Sequence, residues 1–292
     1  MTQEPFHTQA SQTHPHIPAP KRVSVGGHGL SGHDLAYDEI TPEHSRGNVL
    51  FLTGLGSNRL GWRLQLPVFG QTYRALSLDH RDTGDSDPVD ADYSTADQAD
   101  DAAALLRAVN AVPAHIVGIS MGGFVGLNLA VRHPELVRSL TLVATSAGGA
   151  GHIHPDPAGL EALRPDFTLT PGERARRTYS LIMAPDFVAA QTDTLDAIAA
   201  GASYRPLTPE RYARQFRSTR THDVTEQLAG LKVPTLVLHG TADPLVRYEN
   251  GQHLAAQIPG AEFITYEGVG HIPTLERLND FNRDVLAFIG KH

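Results

Sequence analysis

The chain has 292 residues, 24 Lys and Arg against 32 Asp and Glu, a formal net charge of −8, and no cysteine. That length can bury a full core, as one large α/β domain or one domain carrying an insertion. The acidic balance argues against a nucleic-acid partner, and the absence of cysteine excludes disulfides, a thiolate nucleophile and a thiolate metal site. No Lys/Arg-rich cluster marks a membrane surface, and no apolar run approaches the roughly 18 residues that cross a bilayer. A cysteine-free chain fits a reducing cytoplasm, the expected location.

Residues 1–22, rich in Gln, Thr, His and Pro, lack the apolar stretch of a signal peptide. They read as a flexible leader in which His7, His14 and His16 are solvated. Val23-Ser24-Val25 and Asp34-Leu35-Ala36-Tyr37 read as strands joined by the Gly-rich stretch 26–32. That link is too short for a crossover helix, so the pair is expected to be antiparallel. Residues 48–52 and 73–79 are near-continuous apolar runs, as in strands covered on both faces. A helix is predicted over 95–110, where Ala99, Ala102, Ala103, Leu106 and Val109 recur at spacings of three and four. A strand at 115–119, a helix at 123–133 stopped by Pro134, and a strand at 140–144 follow.

Between 147 and 222 no buried strand appears, while helical runs cover 171–187, 189–200 and 209–218. An inserted helical cap is the economical reading. Its apolar residues, Leu181, Ile182, Met183, Phe187, Leu195 and Ile198, would face the open end of the sheet. A strand at 234–240, a helix at 245–258, a strand at 262–266 and a helix at 274–289 close the chain. The fold class is therefore α/β: a mostly parallel eight-stranded sheet with helices on both faces, its core formed by 23–146 and 223–292 and its cap by 147–222.

The chemistry begins at Gly118-Ile119-Ser120-Met121-Gly122, between a predicted strand and a predicted helix. A serine between two glycines at such a turn is a nucleophile elbow. Its neighbours two positions either side must lack side chains, and the turn pushes the hydroxyl out at a helix head, where backbone N–H groups favour negative charge. Serine needs a base, and the base an orienting acid. His271, in Gly270-His271-Ile272-Pro273, and Asp243, in Thr241-Ala242-Asp243-Pro244, both follow predicted strands, at the sheet edge that presents Ser120. Alone, Asp243 is a turn residue and His271 a loop histidine; the order Ser, Asp, His is the one given for α/β-hydrolases.

At these motifs the chain resembles the α/β-hydrolase superfamily over roughly residues 22–290, most closely its capped serine hydrolases: esterases, enol-lactonases and C–C bond hydrolases. Asp79-His80-Arg81-Asp82-Thr83-Gly84-Asp85-Ser86 resembles their D-x-R-x-x-G-x-S loop and is similar to that of polyketide methylesterases. The resemblance implies an oxyanion hole made by the N–H groups of Met121 and Leu55, the latter in Thr53-Gly54-Leu55-Gly56, where many relatives carry His-Gly. One such donor is typically worth roughly 10²–10³ in rate. The expected reaction is hydrolysis of a small-molecule carboxylic ester or lactone through an acyl-enzyme on Ser120, with no metal or organic cofactor. C–C bond hydrolysis, aminopeptidase action and perhydrolysis remain open within the fold, as does a ligand-binding receptor outside enzymology.

Other residues carry weaker signals. Asp79, Arg81 and Asp85 are expected to brace the site by ion pairs. Trp62, Leu181 and Phe187 are candidate pocket residues, Trp62 equally a cap on the core beneath. His152 and His154 lack a third ligand at convincing spacing for a metal. Arg211, Arg214, Arg217 and Arg220 step by three and so wind around a helix; a solvated surface is expected, an anionic-substrate clamp the alternative. No nucleotide fingerprint is present, and oligomeric state is not legible.

Overall fold

The computed structural model describes residues 19–27 and 30–292. His7, His14 and His16 lie outside the described residues. Lys21 and Arg22, counted with the leader above, already pair with Tyr37 and Ala36 in the first strand.

The strands are β1 (Lys21–Gly27), β2 (Leu30–Ile40), β3 (Asn48–Leu52), β4 (Arg74–Leu78), β5 (Ala114–Ile119), β6 (Val137–Val143), β7 (Thr235–Gly240) and β8 (Glu262–Tyr266). They form one sheet in the order β1-β2-β4-β3-β5-β6-β7-β8. β2 is antiparallel to β1 and to β4, and every other pairing is parallel, as expected.

The period-two alternation of a strand splits the apolar runs between two layers. Leu50, Leu52, Leu76, Ile116 and Leu140 pack on one face against α2 (Thr95–Ala108) and α3 (Met121–Arg132). Val49, Phe51, Ala75, Val117 and Leu236 pack on the other with Trp62, with Phe69 of the short α1 (Leu66–Phe69), and with Phe281 and Phe288 near the C-terminus. Each buried Val, Leu, Ile or Phe among them stabilises the fold by about 1.5–3 kcal/mol relative to exposure.

Between β6 and β7 lie α4 (Pro157–Ala162), α5 (Pro171–Ile182), α6 (Pro185–Ala190), α7 (Thr192–Ala200) and α8 (Pro209–Arg220). The predicted run 171–187 breaks because a residue before proline is disfavoured in helix: Ala184, before Pro185, has ψ 130°. α4, only six residues long, is too short for periodicity to reveal. The ends of the insertion meet: Gly148 bridges Asp223, and the Val224 N–H donates to the Ala147 carbonyl at 3.0 Å. The segment thus leaves and re-enters the sheet at one point without disturbing the β6–β7 pairing. After β7 come α9 (Tyr248–Gln257), α10 (Pro273–Glu276) and α11 (Leu278–Ile289); the predicted helix 274–289 is interrupted at Arg277, whose φ is −133°. Among the described residues no helix is long and apolar enough to cross a membrane.

Candidate active site

Ser120 joins β5 to α3 at φ 54° and ψ −120°, a strained conformation for a residue with a side chain, worth on the order of 1–3 kcal/mol. The flanking glycines are sterically required. A Cβ on Gly118 would run into the Gly122 carbonyl, and one on Gly122 into the Leu52 carbonyl. The turn is pinned by its backbone: the Ser120 N–H donates to the Val143 carbonyl at 2.9 Å, and Thr145 Oγ1 donates to the Ser120 carbonyl at 2.8 Å. Ser120 Oγ has no hydrogen-bond partner among the described residues. It faces a cavity of about 980 Å³ between the C-terminal edge of the sheet and the insertion, whose wall also includes Leu55, Trp62, Met121 and His271.

Asp243 and His271 come together from the loops after β7 and β8. His271 Nδ1 donates to Asp243 Oδ2 at 2.7 Å, which leaves Nε2 as the proton acceptor of the neutral ring. The other oxygen, Oδ1, accepts the N–H groups of Leu245 and Val246, each at 2.9 Å. Burial alone would raise the Asp243 carboxyl, but the charge of His271 and the hydrogen bonds of His239 and His271 outweigh it and hold the group at about 2. Asp243 is therefore a carboxylate across the physiological range.

The loop 53–56 lies directly beside the serine: a Cβ on Gly54 would sit 3.4 Å from Ser120 Cβ and 3.9 Å from Oγ. The N–H groups of Leu55 and Met121 have no acceptor among the described residues. That leaves two donors free near the serine, the arrangement an oxyanion requires.

Two residues that the sequence did not flag tie these loops to the insertion. Glu276 is buried, and its carboxylate accepts the N–H groups of Gly270 (2.9 Å), Ile272 (3.1 Å) and Ala184 (2.9 Å). It therefore grips the residues on both sides of His271 and the α5–α6 junction at once. The His271 N–H reinforces this by donating to the Ile182 carbonyl at 2.8 Å. Burial raises the Glu276 carboxyl, against the three backbone donors and the charge of His271. Gln215 of α8, fully buried, accepts the Gly56 N–H at 2.7 Å, next to Leu55. The spacing His271 to Glu276 is visible in sequence; the backbone donors that give it meaning are not.

The acidic loop 79–86 does brace the site. Asp79, fully buried, accepts from Arg59 Nη1 at 2.7 Å and from the N–H groups of Arg59 (2.6 Å) and Asp85 (2.8 Å). Arg81 forks onto both oxygens of Asp101 at 2.7 Å. The same loop holds the insertion: Asp85 meets Tyr204 (2.5 Å) and Arg205 (2.7 Å), and Asp82 pairs with Arg214 (2.8 Å).

The pocket expectations need correction. Trp62 lines the cavity and is also packed on Phe51 and Phe281, with 1 % exposure. Leu181 and Phe187 do not line it. α5 turns Ala175, Thr178, Tyr179 and Ile182 inward, spaced i, i+3, i+4 and i+7, which puts Leu181 on another face. The arginine series of α8 is not simply a solvated surface: Arg214 and Arg217 are taken up by Asp82 and Asp92, while Arg220 reaches the cavity wall. His152 Nδ1 lies 3.0 Å from Ser146 Oγ, and its ring meets that of His154 edge to face. Among the described residues no group of three His, Asp or Glu could hold a metal ion.

Comparison with known proteins agrees with this fold. A family model described as the alpha/beta hydrolase fold matches residues 47–278. A protein from Pseudomonas syringae pv. syringae named as carbamate hydrolase RutD is 31% identical over 252 residues, covering 85% of this chain and 95% of that one. The 2-hydroxymuconate semialdehyde hydrolase of Pseudomonas putida is 32% identical over 228 residues, covering 76% and 78%. An enol-lactonase from Burkholderia xenovorans shares the fold at a TM-score of 0.76 and 24% identity, covering 88% of this chain and 97% of the other.

Proposed function

Because the chain belongs to the alpha/beta hydrolase family, we propose that it is a serine hydrolase cleaving a carboxylic ester or lactone through an acyl-enzyme on Ser120. The observation that carries this reading is the strained Ser120 at the head of α3, opening into the cavity that His271 also lines, with His271 hydrogen-bonded to the buried carboxylate of Asp243.

In the proposed cycle Ser120 Oγ attacks the acyl carbon as its proton passes to His271 Nε2. Asp243 holds the ring in the Nδ1–H tautomer and stabilises the imidazolium that forms. Negative charge on the carbonyl oxygen meets the N–H groups of Leu55 and Met121. Collapse breaks the bond to the alkoxy oxygen, which takes the proton from Nε2 and departs as alcohol, or stays tethered when the substrate is a lactone. Water then attacks the acyl-enzyme, giving its proton to His271, and the second collapse returns that proton to Ser120 and frees the acid. The strands fix the nucleophile, base and acid, while the insertion acts as a cap that shapes the acyl and alcohol sites.

Reaction with a fluorophosphonate probe followed by peptide mapping tests the assignment. Labelling at Ser120, lost in His271→Ala, is the expected result. A folded protein that takes no label overturns the activated serine and leaves a ligand-binding role.

The sequence relatives favour a second reading, since one is named for carbamate and the other for semialdehyde hydrolysis. A kcat/KM comparison of esters, lactones, a carbamate and a diketone-like C–C substrate separates the two. Esters or lactones are expected to lead; a larger value for either other class replaces the ester reading.

A further inference from the structure

The cavity wall contradicts the charge of the molecule that surrounds it. The chain carries 32 acidic against 24 basic residues. Yet the wall includes five arginines, Arg63, Arg164, Arg174, Arg205 and Arg220, and among the described residues no aspartate or glutamate. Two of the five have partners. Arg205 is neutralised by Asp85, and Arg174 lies over the Phe167 ring and donates to the Leu169 carbonyl. Arg63, Arg164 and Arg220 make no ion pair among the described residues, unlike Arg214 and Arg217 on the same helix as Arg220.

The three unpaired cations come from separate elements. Arg63 follows the turn Arg59–Trp62 and reaches towards Gly201, where an added Cβ would be 3.3 Å from its Nη1. Arg164 follows α4, and Arg220 is the last residue of α8. Burial lowers the basicity of His152 and His222, so those rings add little charge at neutral pH. The rest of the wall includes apolar and aromatic side chains such as Trp62, Phe216, Ile182 and Leu275.

Resting on the ester-hydrolase reading, we infer that the substrate is an ester or lactone bearing a carboxylate remote from the scissile bond, drawn in and held by Arg63, Arg164 and Arg220. Unpaired cations around a concave, partly apolar site focus potential into it and raise the local concentration of anions. A wall serving only neutral esters gains nothing from three uncompensated guanidinium groups. Each is exposed to solvent, so the selectivity is sensitive to salt.

Binding tests this independently of turnover. Trp62 is the single tryptophan and lines the cavity, so its fluorescence reports occupancy. In Ser120→Ala protein, dissociation constants are measured for methyl hydrogen adipate, methyl hexanoate and methyl 6-(trimethylammonio)hexanoate, which carry charges of about −1, 0 and +1. The anion is expected to bind tightest and the cation weakest, with a ratio on the order of 10² between them at low salt. Raising ionic strength from about 0.01 M to about 1 M shortens the screening length from about 30 Å to about 3 Å and should bring the ratio towards one. The Arg63→Gln/Arg220→Gln double variant should reduce the ratio about tenfold, and the corresponding double lysine variant should retain it. Equal binding of the three esters, or a ratio that the double glutamine variant leaves unchanged, overturns the inference. Charge-ordered binding with no turnover of the matching 4-nitrophenyl esters by wild-type protein counts instead against the catalytic reading.

Discussion

Around Ser120 the sheet is held by packing: Leu50, Leu52, Ile116, Leu140 and Leu142 are wholly buried, and the turn's glycines leave no room for another backbone path. Across the cavity, α5 and α6 together bury only Ile182. Alongside the buried Met183, Leu195 and Ala199, polar ties hold the insertion: the Glu276 carboxylate, Gln215, and the pairs Asp82–Arg214 and Asp85–Arg205. Dispersion and burial are non-directional and accumulate over many atoms, so they suit a rigid floor. Hydrogen bonds and ion pairs are few and directional, so each can be removed singly, with a consequence confined to the loop it holds. The chemistry should therefore be set on the sheet side and its alignment and selectivity on the insertion side.

The sharpest way to break that division is Ser120→Ala, which removes one oxygen from the sheet side and leaves the packing intact. It is expected to lower kcat on an activated ester by on the order of 10⁶ with an unchanged thermal midpoint. Substantial residual turnover would remove the sheet edge from the chemistry. Next in size is Glu276→Gln. The amide has one accepting oxygen where the carboxylate offers two to three N–H groups, and charge-assisted bonds of this kind are worth about 1.5–3 kcal/mol. We expect kcat to fall roughly 10- to 100-fold with little change in KM, since the His271 loop loses its grip while the pocket wall remains. A loss confined to KM would show that Glu276 serves only the insertion.

The floor should instead respond to acid. Burial holds His115 of β5 at about 4, against about 6.5 for an unfolded histidine. The unfolded chain takes up that proton first, so the stabilisation is complete above about 6.5 and is lost as pH falls towards 4. The denaturant midpoint should drop across this window, and His115→Gln should remove part of the drop, on the order of 1–2 kcal/mol. An identical pH profile for the variant would exclude the ring as a source. The smallest effect is assigned to Gln215→Leu, which orphans the Gly56 N–H beside Leu55. That loss, about 1 kcal/mol, should appear as a several-fold fall in kcat/KM and faster amide exchange at Gly56. Unchanged exchange would mean the loop 53–56 is held by the sheet alone.

What could be read from the chain depended on the range of the interaction. The elbow was legible because part of its constraint is local: a Cβ on Gly118 would strike the Gly122 carbonyl four residues on, whereas Gly122 is kept small by the Leu52 carbonyl of the neighbouring strand. Strand parity was legible because side chains alternate with period two, so the runs at 48–52 and 115–119 announce burial on both faces. Asp243 and His271 could be proposed because each follows a strand whose direction the alternation of elements implied. The face that α5 turns inward was not legible. Its own periodicity allows Leu181 as readily as Ile182, and the choice is made by contacts with the His271 loop about 90 residues away in the chain. Nor could the sequence divide four arginines of one helix into ion-pair partners and cavity wall, since the carboxylates that claim two of them are contributed by β4–α2 loop residues some 125 to 132 positions earlier. Local sterics and periodicity thus determined the sheet, the glycine-flanked turn at Ser120 and the residue types of the candidate site. Only tertiary structure decided which polar groups pair and which remain free to meet a substrate, because pairing depends on distances that the chain sets by folding and not by order.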